Sequence, residues 1–155
     1  MKFKIEQIAI VPNDPERAMR LFAKIGLTDW AKDHVVATGK VWGVGGSNGA
    51  DLAFNYQATG DKALELEVLH YTSSPNWMER YGTSASHLGM HVTEEELVGW
   101  RWFFAEEKIA IAQEVATLSH TNPVIAGKRW YKYVIFDTRA ILGIDLKFIV
   151  RREAA

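Results

Sequence analysis

One stretch of sequence decides the fold: Ser86-His87-Leu88-Gly89-Met90-His91-Val92, followed by Thr93-Glu94-Glu95-Glu96-Leu97. It repeats the opening of the chain, where Ile5-Glu6-Gln7-Ile8-Ala9-Ile10-Val11 precedes a run from Asp14 to Phe22. In both places a strand-like run leads into a helix that begins with a capping residue. Each copy also ends in an alternating strand pattern, at Ala63–His70 and at Gly143–Val150. A repeat of this size predicts two copies of one supersecondary unit that share a core.

Each repeat contains a clearly marked helix. The first is predicted to begin after Asp14, with Pro15 at its first position and Gly26 just past its end. The second begins at Thr93, which forms a capping box with Glu96. Helical spacing of apolar residues predicts the buried faces, which are Ala18, Leu21, Phe22 and Ile25 in the first helix and Leu97, Trp100 and Phe104 in the second.

Strand patterns follow both helices, at residues 35–42, 51–56 and 63–70 and again at 111–117, 129–136 and 141–150. The glycine-rich run 43–49 is predicted as a loop without chemistry, because it lacks the Lys and Ser/Thr of a phosphate-binding loop. The chain is therefore predicted to be one α+β domain of two modules. The predicted parts are a first module at 1–71, a connection at 72–85 and a second module at 86–155.

Composition narrows the class of function. The 18 basic and 19 acidic residues leave a net charge of -1, which provides no field for binding nucleic acid or an anionic membrane. There is no cysteine, so any metal site must use His, carboxylate or amide oxygen ligands. The lack of cysteine fits a cytoplasmic protein, and no targeting segment or membrane span is predicted.

The first and last strands of both modules carry polar residues at alternate positions, so these residues share one face of each strand, and the positions correspond between the modules. A solvated sheet face is the simplest interpretation of such alternation. The correspondence between the two modules instead favours an arrangement in which these polar side chains point into one cavity. Small neighbouring residues would leave room there for a metal or a substrate. The residues on this face are Gln7, Ala9, Glu65 and Glu67 in the first module and His87, Gly89, Asp145 and Lys147 in the second.

The paired modules resemble the vicinal oxygen chelate superfamily, which includes glyoxalase I, extradiol dioxygenases, bleomycin-resistance proteins and methylmalonyl-CoA epimerase. The resemblance spans nearly the whole chain. It implies two tandem βαβββ modules that form a pseudo-twofold incomplete barrel with the helices outside. The motifs that carry it are Glu6-Gln7-Ile8-Ala9-Ile10, Leu66-Glu67-Val68-Leu69, Ser86-His87-Leu88-Gly89-Met90 and Ile144-Asp145-Leu146-Lys147-Phe148.

The resemblance also implies a divalent metal, Fe, Mn, Ni or Zn, held by residues of the first and last strands. Gln7, Glu67 and His87 match three of the ligand positions. Lys147 falls at the fourth, where a carboxylate is expected, and an ammonium cannot coordinate a cation. Asp145, two residues earlier on the same face, is the alternative oxygen donor.

Three classes of function remain open. In the first, the metal and a displaced Glu67, acting as catalytic base, support a glyoxalase-like lyase, isomerase or dioxygenase. In the second, Lys147 pairs with Glu67 in place of the metal, and the protein binds or sequesters a small molecule, as the bleomycin-resistance members do. In the third, the concave faces are vestigial and the protein is structural.

The predicted substrate contacts belong to the same concave faces and to the loop before the strand at 129–136. They are Glu65, His91, Arg129, Tyr131 and Lys147, with His120 and Asn122 as second-rank candidates. Aromatic residues suited to cavity walls are Trp42, Trp77, Trp130 and Tyr131. The 6 Trp and 7 Phe residues are a large apolar load for a chain of 155 residues, so a homodimer is also expected.

Overall fold

The computed structural model describes residues 1–73, 86–118 and 127–154. Strand, helix and three strands follow one another twice along the chain, with one extra helical turn before the last strand. The elements are β1 (Gln7–Ile10), α1 (Pro15–Lys24), β2 (Ala31–Val41), β3 (Val44–Asn55), β4 (Glu65–Ser73), β5 (His87–His91), α2 (Glu94–Glu106), β6 (Ile111–Leu118), β7 (Arg129–Phe136), α3 (Arg139–Leu142) and β8 (Asp145–Glu153). The predicted α+β class with two βαβββ modules is confirmed.

The strands close into one barrel in the order β1-β4-β3-β2-β6-β7-β8-β5. Within the modules, β1–β4 and β5–β8 are parallel pairs, and the remaining pairs are antiparallel. The modules join through the antiparallel pairs β1–β5 and β2–β6. Each module is thus an incomplete barrel that the other completes, and the side chains of alternate residues meet inside.

The strand registers of the two modules correspond to each other. Each module pairs its first strand in parallel with its last strand, and the paired positions match along both strands. This pseudo-twofold relation makes Glu67 and Lys147 structural equivalents. The equivalent positions are Gln7 with His87, Ala9 with Gly89, Glu65 with Asp145 and Glu67 with Lys147.

Helix α1 begins at the predicted cap, Asp14, but its buried face is not the predicted one. Met19 is the buried residue, and it packs with Phe22 against the outer face of β3 and β4. Leu21 and Ile25 are 64% and 70% exposed, so their assignment to the buried face was wrong. Apolar residues occur on two sides of this helix, and spacing alone does not determine which side meets a sheet.

Helix α2 has the predicted capping box, in which the side chains of Thr93 and Glu96 each accept a backbone N–H of the other residue. Its predicted stripe is confirmed, because Leu97, Trp100 and Phe104 are all buried. The stripe packs against the outward faces of β7 and β8, where Phe104 stacks on Phe136 with ring centroids 4.1 Å apart. Among the described residues, no helix is long and apolar enough to cross a membrane.

Several strand boundaries differ from the predictions, and two of the differences change the type of structure. The glycine-rich run 44–49 is strand rather than loop, because it pairs with β2 along its whole length. The hairpin turn is only two residues long, and both Trp42 and Gly43 have positive φ, as a tight hairpin with matching twist requires. The other strand was predicted to start at Ile141, but residues 139–142 form α3, which ends at Gly143 in the left-handed conformation.

Candidate functional site

The barrel encloses a cavity of about 350 Å³. Every strand except β1 and β5 contributes apolar or aromatic side chains to the cavity wall. Polar side chains are concentrated where β1, β4, β5 and β8 meet. Such a cavity has the size and mixed lining of a small-molecule site. Its aromatic wall residues are Phe54, Tyr56, Tyr71, Tyr131 and Tyr133, and its apolar ones include Val35, Leu52, Leu69, Val115, Ile135 and Ile149.

Four buried polar side chains converge at this junction of strands. His87 Nε2 lies 3.0 Å from Gln7 Oε1 and 3.2 Å from Glu67 Oε2. The Lys147 ammonium donates to Gln7 Oε1 at 3.2 Å and lies 3.6 Å from Glu67 Oε2. Their exposures are 3% for Gln7, 1% for Glu67, 1% for His87 and 7% for Lys147. We call these four residues the polar cluster.

Small residues on the first strands make room for the polar cluster. Ala9 lies between His87 and Glu67 in the sheet and is fully buried. Gly89 lies opposite Gln7, and a Cβ added to Gly89 would come within 2.9 Å of Gln7 Oε1. Any larger residue at position 89 would therefore displace the amide that His87 and Lys147 both contact.

The hydrogen bonds of Gln7 orient its amide oxygen toward His87. The Gln7 amide nitrogen donates to Glu65 Oε1, which leaves Gln7 Oε1 facing His87. His87 Nε2 thus faces an amide oxygen and the carboxylate of Glu67, and both are acceptors. A neutral imidazole in this position would donate from Nε2, the atom that points into the cluster.

Charge within the cluster keeps Glu67 ionised. Burial alone raises the pKa of its carboxyl group, but the Lys147 ammonium and the His87 N–H outweigh burial and lower the pKa from 4.5 to about 2. The Lys147 ammonium also lies 4.7 Å from the centre of the Tyr133 ring. Burial, followed by the negative charge of Glu67, raises the pKa of the Tyr133 hydroxyl, so this hydroxyl stays neutral.

The predicted substrate contacts lie along the cavity, as Glu65, His91, Arg129, Tyr131 and Lys147 all line it. Glu65 accepts from the Gln7 amide and from the Tyr56 hydroxyl. His91 and Arg129 also pair outward, with Glu6 at 3.3 Å and Glu153 at 3.3 Å. Tyr131 stacks on Tyr133, with ring centroids 5.9 Å apart and an interplanar angle of 11°.

Asp145, the alternative fourth ligand, is not a member of the polar cluster, although it lies next to His87 in the pairing of β5 with β8. It is fully buried and accepts from the Arg139 guanidinium at 2.7 Å. Burial raises the pKa of its carboxyl group, although the Arg139 charge opposes that rise. The side chain does not belong to the cavity lining. An ion held by Gln7, Glu67 and His87 would have to draw Asp145 away from its own cation.

The donor set at the cluster does not fit a divalent ion. An ion at this point would lie beside the Lys147 ammonium, which cannot coordinate a cation and repels it. Within residues 1–73, 86–118 and 127–154, no group of three or more His, Asp or Glu side chains is arranged to hold an ion. Gln7, Glu67 and His87 converge, but Lys147 joins them as the fourth member.

The aromatic residues predicted to form the cavity wall lie in different parts of the structure. Tyr131 lines the cavity, whereas Trp42 packs against the apolar cluster at the barrel centre and Trp130 packs on the outer side near α2. Trp77, His120 and Asn122 lie outside the described residues.

Sequence reasoning missed several residues of the cavity. Tyr133 shares the strand face of Tyr131, so the alternation of β7 already contained the signal for it. Asn48 and Gln113 form a buried amide pair on the wall opposite the polar cluster, with Asn48 Nδ2 2.9 Å from Gln113 Oε1. That pair joins β3 to β6, a contact between modules that no local pattern indicates.

The two βαβββ modules and their shared barrel are the fold of the vicinal oxygen chelate proteins. No family model matches the chain, and no curated protein matches its sequence significantly. The likeness to solved structures is therefore one of fold, at low sequence identity.

A hypothetical protein of Bacillus halodurans C-125 is 15% identical with a TM-score of 0.55, and the match covers 98% of this chain and 96% of that one. Methylmalonyl-CoA epimerase of Streptomyces coelicolor, in complex with 2-nitronate-propionyl-CoA, is 10% identical with a TM-score of 0.53, covering 95% and 96%. A 4-hydroxymandelate synthase variant from Streptomyces coelicolor is 8% identical with a TM-score of 0.52; the match covers 96% of this chain but 48% of the synthase.

Proposed function

We propose that this glyoxalase-like protein binds a small organic molecule inside its barrel without a metal ion. The observation that carries the proposal is the ion pair of Lys147 with Glu67, at 3.6 Å, in the middle of the polar cluster. The fold places first-strand and last-strand side chains of both modules at this point. A protein ammonium therefore supplies the positive charge that a bound ion would otherwise bring.

The same contacts weigh against the metal-dependent enzyme that Gln7, Glu67 and His87 first suggested. A carboxyl group with a pKa of about 2 is a weak base, so Glu67 is poorly suited to remove a proton from a substrate. Its negative charge instead lies beside the Lys147 ammonium at 3.6 Å and His87 Nε2 at 3.2 Å. Asp145 is engaged by Arg139, so a fourth oxygen ligand would require a rearrangement.

The cavity supports binding independently of the cluster. Its volume of about 350 Å³ falls in the range of small-molecule sites, and its walls combine aromatic and aliphatic side chains with polar ones. Methylmalonyl-CoA epimerase, which shares the fold, was solved with 2-nitronate-propionyl-CoA. A small-molecule ligand in this barrel is consistent with that neighbour, although the ligands need not be alike.

Binding is tested by titrating naphthalene derivatives with hydroxyl, carboxylate and amino substituents into the protein and measuring heat by isothermal titration calorimetry. The wild type should bind at one site per chain. Ala31→Trp should weaken binding, because Ala31 lines the cavity at its solvent-exposed end and a large ring there obstructs it. Lys32→Trp is the matched control, since Lys32 is the neighbouring residue and ion-pairs with Glu16 outside the barrel.

Equal binding by Ala31→Trp and Lys32→Trp would place the compound outside the barrel and contradict the proposed site. Absence of binding by the wild type to every naphthalene derivative, including those with hydroxyl, carboxylate and amino substituents, would contradict the proposed function itself. Unfolding temperatures of both variants establish that a loss of binding is not a loss of fold.

We also propose a homodimer in the cytoplasm. Large apolar side chains are exposed on the outer faces of both long helices, and pairing of two chains would remove them from water. Light scattering at micromolar concentration tests the dimer, and the mass of a single 17.5 kDa chain would contradict it. The residues concerned are Leu21, Ile25, Val98, Trp102 and Phe103.

A further inference from the structure

We infer that the ligand is an uncharged aromatic compound whose hydroxyl group bridges Lys147 and Glu67. This inference rests on the proposed function, since it names the chemical class that the metal-free cavity accepts. It follows from the hydrogen-bonding capacity left at the two side chains, from the charges around them and from the shape of the walls.

Lys147 has a donor to spare. An ammonium has three N–H bonds, and in the described part of the chain Lys147 has two oxygen neighbours, Gln7 Oε1 at 3.2 Å and Glu67 Oε2 at 3.6 Å. At most two of the three N–H bonds are used by these oxygens. Lys147 lines the cavity, so the remaining N–H is within reach of a ligand oxygen.

Glu67 has an acceptor to spare. Its Oε2 atom is buried and receives no well-directed hydrogen bond from the residues described, although His87 and Lys147 lie near it. A buried carboxylate oxygen without a directed donor is costly, and a donor from a ligand would stabilise it. The site thus offers one donor and one acceptor within 3.6 Å of each other.

A hydroxyl group matches this pair because it both accepts and donates. Its oxygen accepts from Lys147 while its hydrogen is donated to Glu67. A carboxylate ligand accepts but cannot donate, and the ionised Glu67 would repel it. An ether or a carbonyl accepts from Lys147 and leaves Glu67 unsatisfied.

The charges along the cavity balance one another, so they give an anion no net attraction. Asp33 and Glu65 both line it, and their negative charges contribute to the raised pKa of the Tyr133 hydroxyl, which places all three groups near one another. Arg129, Arg151 and Lys147 also line the cavity, and Arg129 interacts with both Tyr131 and Glu153. The inner part of the cavity therefore favours a neutral group.

The side chains of the cavity wall favour a ligand with a flat aromatic ring system. Tyr131 and Tyr133 stack in nearly parallel planes, with Phe54 and Tyr56 also lining the cavity. Flat aromatic rings pack well against such faces and lose little conformational entropy on binding. A bicyclic aromatic alcohol fits comfortably within about 350 Å³.

Four compounds of the same shape separate the alternatives on the wild-type protein: 2-naphthol, 2-methoxynaphthalene, 2-naphthylamine and 2-naphthoate. Calorimetry at pH 7 should show 2-naphthol binding at least about tenfold more tightly than each of the others, because each of them loses at least one of the two hydrogen bonds. In the variant Glu67→Met, which keeps the length of the side chain, the advantage of naphthol over methoxynaphthalene should fall to about threefold or less, because the acceptor that a hydroxyl uses and an ether cannot use is gone.

The outcomes distinguish this inference from the proposed function. Binding of all four compounds with similar affinity would overturn the hydroxyl bridge while leaving a ligand cavity. Tightest binding of 2-naphthoate would overturn it in favour of an anionic ligand. If Glu67→Met does not fold, the comparison of the four compounds on the wild type still decides the matter, and Tyr133→Phe, which keeps both bridging groups, should keep the preference of the wild type for naphthol.

Discussion

The ammonium of Lys147 lies 3.6 Å from the carboxylate of Glu67, and the two residues occupy equivalent positions in the two modules of the barrel. Pseudo-symmetry alone would place like residues face to face. The chain instead has opposite charges at these positions, so the charge of the site is balanced by the protein itself.

The first prediction concerns the stability of the Lys147–Glu67 pair. Lys147→Met should lower the free energy of unfolding by about 3–5 kcal/mol, because it leaves the buried Glu67 carboxylate without its cation. Urea denaturation measures the change. Lys132→Met is the matched control: its partner Glu94 is partly exposed, so the loss should stay below about 1 kcal/mol. Equal losses in the two variants would contradict the buried pair.

A second prediction follows from the lowered pKa of Glu67. A carboxyl group with a pKa of 4.5 when unfolded and about 2 when folded stabilises the fold above pH 4.5. That contribution, on the order of 3 kcal/mol at most, is lost as the pH falls from 4.5 towards 2. Glu67→Gln should therefore show a weaker dependence of stability on pH in this window. Parallel pH profiles of wild type and variant would contradict the assignment.

A third prediction concerns the room that glycine provides beside Gln7. Gly89→Ala should lower stability by about 1–3 kcal/mol, because the new Cβ would lie 2.9 Å from Gln7 Oε1 and push the amide away. Gly60→Ala is the control, since nothing lies within 4 Å of a Cβ at that position. Thermal unfolding measures both. A Gly89→Ala variant as stable as Gly60→Ala would mean that Gln7 is free to shift.

Much of this arrangement was predictable because strand alternation is a local property. Counting residues along the strands was enough to place Gln7 and His87 at equivalent positions, and likewise Glu67 and Lys147. The strand register then puts all four side chains inside one barrel. Whether Lys147 or Asp145 would join the cluster was not predictable. That choice depends on Arg139, which lies on a helical turn that the pattern assigned in part to a strand.

Other features of the fold depended on contacts that a local pattern does not contain. The face of α1 was misassigned because Leu21 and Ile25 have the same spacing as a buried pair. The glycine-rich strand at 44–49 was missed because glycine has a low strand propensity, which pairing with β2 overrides. The amide pair of Asn48 and Gln113 forms only when the modules meet.

The most direct test is metal binding by the wild type and by Lys147→Glu, measured by equilibrium dialysis against Mn, Ni and Zn with protein that carries no His-tag. The wild type should bind no stoichiometric ion. Lys147→Glu should bind about one ion per chain, because a carboxylate then joins Gln7, Glu67 and His87, and adding His87→Ala should abolish that binding. A wild-type protein that binds one ion per chain, and loses it on His87→Ala, would contradict a site in which Lys147 takes the place of the metal.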